Sequence, residues 1–211
     1  MKKFPVGILV FAALFVAGAE AAAQEGLTRI ADNVYAYVGV RNATPSRSFG
    51  ANAGIVIGND GIAVIDTLVS SKEAGKFIKD IRAVSQKPIK YVIDTHEHLD
   101  HAFGNAEFAR LGGTIVAHAN CRKNMIGSAE AVLRNAKDYG LSEDDMKGTQ
   151  IAFPTLTFRG TMEIDLGGRT IELIDPGPSH TNGSILVYVP DTKTLFAGDV
   201  LFTTEGFHFF T

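Results

Sequence analysis

Asp94-Thr95-His96-Glu97-His98-Leu99-Asp100-His101 puts three imidazoles and the Asp100 carboxylate within six residues. Neutral imidazole and carboxylate are ligands of Zn²⁺ and of non-haem iron. The chain's single cysteine, Cys121, lies outside the cluster, so the site is an N/O site. One histidine at a strand end is ordinary polar surface. Four potential ligands packed this densely are not explained that way, and the run reads as a metal site. Two further candidates stand far along the chain. His180 lies in Gly177-Pro178-Ser179-His180-Thr181-Asn182-Gly183-Ser184, just before an expected strand, and Asp199 lies in Phe196-Ala197-Gly198-Asp199-Val200, just after one. Alone, an aspartate after a strand reads as a turn or cap residue. Loops at strand ends are also where sites gather above a sheet.

These loops must be held by regular elements, and the apolar spacing supplies them. Val34–Val38 is a β-branched and aromatic run with strand character. Residues 53–57 and 62–65 flank Gly58-Asn59-Asp60-Gly61, a hairpin signature. Ser70 with Glu73 forms a capping box ahead of Ala74, Phe77, Ile78, Ile81 and Val84, which recur at helical spacing. Strands are expected at 89–93 and 114–117, with a helix over 106–111 closed by Gly112-Gly113 and a second amphipathic helix over 125–136. Residues 140–158 read as a long loop. Residues 162–166 and 169–174 form a hairpin, and 184–189 and 194–196 add two strands. The order predicts a mixed α/β layer architecture with helices covering a sheet.

Composition narrows the class. The chain has 211 residues, 45% hydrophobic and 20% charged, with a formal charge of −3. That suits one domain with a real core and excludes wholesale disorder. No Lys/Arg run accompanies the weak acidity, which argues against a nucleic-acid partner. One cysteine excludes an intrachain disulfide and a Cys-rich zinc finger. At the N-terminus, Lys2 and Lys3 precede an uncharged stretch from Phe4 to Ala19, followed by the small-x-small signals Ala19-Glu20-Ala21 and Ala21-Ala22-Ala23. Residues 1–23 are therefore expected to be a cleaved signal peptide, with 24–211 as the exported mature domain, periplasmic or secreted and free of membrane.

Taken together, THEHLDH at 95–101, GPSHTNGS at 177–184 and FAGDVLF at 196–202 resemble the metallo-β-lactamase superfamily, over roughly Val34 to Phe202. The resemblance implies an αββα sandwich with metals at the shared sheet edge. It implies His96, His98 and His180 as ligands of one zinc ion, Asp100 and His101 as ligands of a second, and Asp199 bridging both; Asp100 also stands as the candidate catalytic carboxylate. Asp66 matches a position whose carboxylate orients a ligand histidine, with a turn or cap role as the plain alternative. The family normally supplies one more histidine well beyond Asp199. His208, nine residues past it, does not match, so the second half-domain is expected to be incomplete and the C-terminal part of the fold missing. The intact motif and GDVLF are closest to glyoxalase II-like members. A hydrolase acting on an ester, thioester, lactone or related bond of a small molecule is therefore expected, with β-lactam hydrolysis as a minority reading.

Two other classes stay open. His96, His180 and Asp199 alone make the two-His, one-carboxylate set of a mononuclear iron enzyme of the persulfide dioxygenase kind. An inactive metal-binding remnant is the third. The remaining features read as bland: His118 as a packed residue, Cys121 as a reduced small core residue, and Asp144-Asp145 as a solvated helix start.

Overall fold

Strands with two buried faces carry apolar residues at every position, and β3 (Ala53–Ile57) and β4 (Ile62–Ile65) are buried throughout. The computed structural model describes residues 26–38 and 44–201. The signal peptide expected at 1–23, Phe202 of the third motif, His208 and the Phe-rich end of the chain lie outside them.

β1 (Gly26–Ala31), β2 (Val34–Val38), β3 and β4 form an antiparallel meander. β5 (Ile89–Ile93), β6 (Thr114–His118) and β7 (Leu156–Phe158) then add in parallel, giving a seven-stranded sheet in chain order. β8 (Thr161–Asp165), β9 (Thr170–Ile174), β10 (Leu186–Val189) and β11 (Thr194–Phe196) make a four-stranded antiparallel sheet. Among the described residues, five α-helices lie between the strands: α1 (Ser71–Val84), α2 (Leu99–Ala102), α3 (Asn105–Arg110), α4 (Ala119–Arg134) and α5 (Glu143–Met146).

The period-two alternation decides what each face meets. Ile62 and Val64 turn toward Phe77 and Ile81 of α1 and Phe108 of α3. Ala63 and Ile65 turn the other way, onto Leu173, Val187 and Val189 of the smaller sheet. The core is thus two apolar layers, one between helices and sheet and one between the sheets. At the end of β4 away from the candidate ligands, the β3–β4 turn bonds to the β8–β9 turn, with Asn59 N donating to Gly167 O and Asp60 N to Leu166 O. The mixed α/β class is as expected. Among the described residues the helices lie beside the seven-stranded sheet, so three of the four expected layers are present.

Three local expectations need correction. β1 carries no strand signal because it is an edge strand with a mostly half-exposed surface, which leaves no hydrophobic alternation to read. The stretch 140–158 is not all loop: it holds α5, capped reciprocally by Ser142 and Asp145, and β7. β7 has three residues, two of them exposed, so its identity comes from pairing with β6 and not from its own pattern. α4 begins at Ala119, six residues before its apolar stripe, because His118 Nδ1 accepts from Asn120 N and caps it.

One close approach has a measurable consequence. A β-carbon on Gly104 would sit 2.0 Å from Thr67 O, with backbone on both sides of the contact. Gly104→Ala is expected to lower unfolding stability by roughly 1–3 kcal/mol through overpacking. An unchanged urea midpoint would remove this account of the glycine.

Candidate metal centre

The candidate residues all come from strand ends on one side of the molecule. β4 runs into Asp66, β5 into the 94–101 run, β9 into the loop carrying His180, and β11 into the short 3-10 turn Gly198–Val200 carrying Asp199. Asp66 and Leu68 take left-handed backbone angles, φ 58° and 69°. Aspartate tolerates that conformation, whereas for leucine it is strained; full burial of Leu68 in the helix-side core holds the turn in place.

Six side chains converge there. His96 Nε2 is 3.2 Å from His98 Nδ1, which is 3.0 Å from His180 Nε2. Asp199 Oδ2 lies 3.5 Å from His180 Nε2 and 3.8 Å from His96 Nε2, while its Oδ1 lies 3.2 Å from His101 Nε2. Asp100 Oδ2 is 3.5 Å from the same His101 nitrogen. Two overlapping sets result, His96–His98–His180 and His96–His101–Asp199, each with its ligand atoms within 4.8 Å of one another. His96 and His101 form a buried floor, and His98 and His180 an exposed rim.

A single carboxylate orients the floor. Asp66 Oδ1 accepts from Thr95 N at 2.7 Å, and its Oδ2 accepts from Thr95 Oγ1 and His101 Nδ1, both at 2.8 Å. Thr95 spends its only hydroxyl proton on Asp66, so toward His96 Nδ1, 3.2 Å away, it acts as acceptor. That puts a proton on Nδ1 of each buried ring and turns both Nε2 atoms into the cluster, where on His101 a bound cation would take the place of a second proton. Below, Asn105 closes the floor, donating to Asp94 Oδ2 and accepting from Thr67 Oγ1.

The electrostatics match an arrangement built around cations. Burial, then the neighbouring His101, His98 and His180 rings, holds His96 well below the ordinary histidine range; burial and His180 lower His98. Burial also opposes charge on His101, but Asp66, Asp100 and Asp199 outweigh it and hold that ring protonated well above the usual range. Burial would raise Asp199, yet the nearby His101 and the neighbouring imidazoles keep it ionised below its ordinary range. Asp100 is raised, chiefly by burial.

The residues fit a metal. Tetrahedral zinc–nitrogen bonds of ~2.0–2.1 Å imply nitrogens about 3.3–3.4 Å apart, close to the 3.0 and 3.2 Å found between the rings. His101 Nε2 is fully buried without a well-aligned hydrogen-bond partner, and it faces two carboxylates. A cation supplies what that atom lacks.

All six expected residues are brought together, with one difference in grouping. The compact second set draws on His96, and Asp100 stands just outside it, beside His101. Asp66 plays the orienting part and not a cap. His118 is a packed residue, with Nε2 3.3 Å from Asp175 Oδ2. Cys121 is wholly buried, which raises its thiol far above the usual range. Thr95 and Glu97 are two further residues that the ligand pattern does not single out, since Thr95 is not a common metal ligand and Glu97 has no place in the ligand set that the resemblance implies. Their positions, each next to a candidate ligand, were the available signal.

Residues 47–209 match the Metallo-beta-lactamase superfamily. The 2,4-dinitroanisole O-demethylase subunit alpha of Nocardioides sp. is 30% identical over 148 residues, which are 69% of this chain and 40% of that protein. The linear primary-alkylsulfatase of Pseudomonas sp. is 28% identical over 174 residues, 70% of this chain and 32% of that one. The chain thus spans well under half the length of these two relatives. A metallo-beta-lactamase from Pontibacter korlensis shares the fold, with a TM-score of 0.69, 21% identity, and 87% of this chain and 75% of that one covered.

Proposed function

The chain belongs to the Metallo-beta-lactamase superfamily, and from that premise we propose that it is a metal-dependent hydrolase of a small-molecule ester-type bond. The observation that carries this reading is the buried His101 Nε2, gathered with four other ligand-type side chains into two overlapping sets. His96, His98 and His180 would hold one zinc ion. His101 and Asp199 would hold a second, with Asp100 at its edge. Bound there, the metal supplies an activated water, its pKa drawn down toward ~7, and polarises the bond to be cut.

The protein's own groups prepare that chemistry. Asp66 keeps His101 in the tautomer that offers Nε2, and through Thr95 it does the same for His96. Asp199 faces one set with each oxygen, placing an anion between two cation positions. Asp100, near His101 and raised by burial, is the carboxyl placed to hold or return a proton. The exposed rim of His98 and His180 leaves the approach open to a substrate. The relatives are named for removing methyl or sulfate from oxygen, which supports including aryl ethers and sulfate esters beside esters, thioesters and lactones. The charged start and apolar run of residues 1–23 support export as its location. No helix among the described residues is long and apolar enough to cross a membrane.

Elemental analysis of the purified chain, coupled to a turnover panel over those bond types, tests the proposal. The expected result is zinc occupancy with hydrolysis of one class, lost on chelation and restored by zinc. Iron with oxygen uptake and no hydrolysis would replace it with an oxygenase. Metal uptake without turnover anywhere on the panel would leave a metal-binding remnant.

A further inference from the structure

Glu97 stands between two clustered histidines, yet its carboxylate turns out of the cluster. Oε1 accepts from Asn124 Nδ2 of α4 at 2.7 Å, and Oε2 accepts from Thr181 Oγ1 at 3.0 Å. Thr181 directly follows His180. The same Asn124 amide donates to Asn182 Oδ1 at 2.9 Å, and Asn120 Nδ2 donates to Asn182 O at 2.9 Å. Inside the loop, Thr181 Oγ1 accepts from Gly183 N, and Ser184 Oγ accepts from Thr181 N. The Glu97 carboxylate is therefore the hub of a polar network joining the 94–101 run, helix α4 and the loop that carries His180.

That hub answers a geometric difficulty. His96 and His98 ride on the seven-stranded sheet, whereas His180 enters from the four-stranded sheet, 82 residues after His98. Three nitrogens can share a cation only if these two bodies meet to within a few tenths of an ångström. Packing cannot ensure this at the rim, because His98 and His180 are both exposed. The deeper links, Ile185 N to Thr95 O and the tight approach of Gly183 to Cys121, act three to five residues after His180, whereas the Glu97–Thr181 bond acts at its immediate neighbour. Glu97 touches neither ring, but its immediate neighbours are two of the three, and Thr181 is the immediate neighbour of the third.

We propose that Glu97 is a positioning residue that sets the spacing of His180 from His96 and His98, with Asn124 of α4 as its anchor. The inference rests on the reading of those three histidines as ligands of one ion. Outer partners of metal ligands typically govern affinity by 10–100-fold. Glu97→Ala, which removes both arms, is expected to weaken zinc binding by about that factor. Glu97→Gln keeps the length and one acceptor, and the Thr181 hydroxyl can rotate to meet the amide, so it should recover most of the affinity.

The test is a zinc competition titration of the purified chain against a chromophoric chelator, with the metal-free melting temperature measured alongside. His180→Ala weakening zinc binding is expected; unchanged affinity there would overturn the ligand reading itself. Given that weakening, Glu97→Ala should be 10–100-fold weaker than wild type, yet within about twofold of His180→Ala when combined with it, since two changes acting through one ring do not add. Wild-type affinity in Glu97→Ala, or a full additive loss in the double variant, would overturn the positioning role and leave the ligand reading standing. Should Glu97→Ala fail to fold, Thr181→Val cuts the same link and carries the same expectation.

Discussion

Asp199→Asn will leave the protein folded, reduce bound metal toward a single ion per chain, and lower hydrolysis by at least ~100-fold. Asp199 is the one carboxylate among the described candidate ligands that faces both sets, with His101 3.2 Å from one oxygen and His180 3.5 Å from the other. Two divalent cations a few ångströms apart repel strongly in a site with a buried floor, and an intervening anion offsets that repulsion. An amide keeps the shape and removes the charge. The side chain lies on a surface turn and is 23% exposed, so the fold has little reason to respond. A loss at least as large as that for removing an outer partner is therefore the minimum expected. Elemental analysis beside turnover and circular dichroism decides it. Two ions retained with near wild-type turnover would place the bridging anion elsewhere.

Asp66→Asn reaches both buried rings at once. The carboxylate accepts three hydrogens, and an amide can accept at only one of its two positions. Thr95 N is a fixed donor, so the amide oxygen must stay beneath it. The new NH₂ then faces Thr95 Oγ1 and His101 Nδ1. His101 must move its proton to Nε2 to accept there, and the Thr95 hydroxyl must turn to donate to His96, which shifts that proton to Nε2 as well. Both lone pairs that faced the cluster are lost. Metal affinity is expected to fall by ~100-fold or more, the upper end for an outer partner. Stability should fall by roughly 1–3 kcal/mol, as for a buried polar group left mispaired. Thr95→Val isolates one arm: it should weaken only the contribution of His96 and leave the Asp66–His101 bond in place. Equal affinities for zinc in wild type and Asp66→Asn would show that the carboxylate does not set the tautomers.

Much of this was legible without coordinates, for identifiable reasons. Histidines at 96, 98 and 101 are close in space because they are close in sequence, after a strand short and apolar enough to recognise. The hairpins at 53–65 and 161–174 announce themselves through alternation and turn glycines. α1 does so through its 3.6-residue stripe and Ser70, whose Oγ accepts from Glu73 N. β1 and β7 were hidden because an edge strand with half-exposed sides has no hydrophobic signature of its own.

Residue types and local spacing marked the dense run at 94–101 as a metal site and gave an α/β order; the resemblance of the three motifs to the superfamily is what added His180 and Asp199 to the ligand inventory. Only the tertiary structure decided which candidate ligands lie close enough together to share an ion. Asp100, adjacent to His101 in sequence, falls outside the compact set, while Asp199, 98 residues beyond His101, falls within it. It also decided that Asp66 and Thr95 govern the proton positions of two rings, and that Glu97 grips the loop of His180 instead of joining the cluster. The physical reason is the same in each case. Ligand type is a property of one side chain, but tautomer, spacing and shared coordination depend on where two packed sheets bring their loops together, a relation set by the core of Ala63, Ile65, Leu173 and Val187 and by the hydrogen bonds that join the loops.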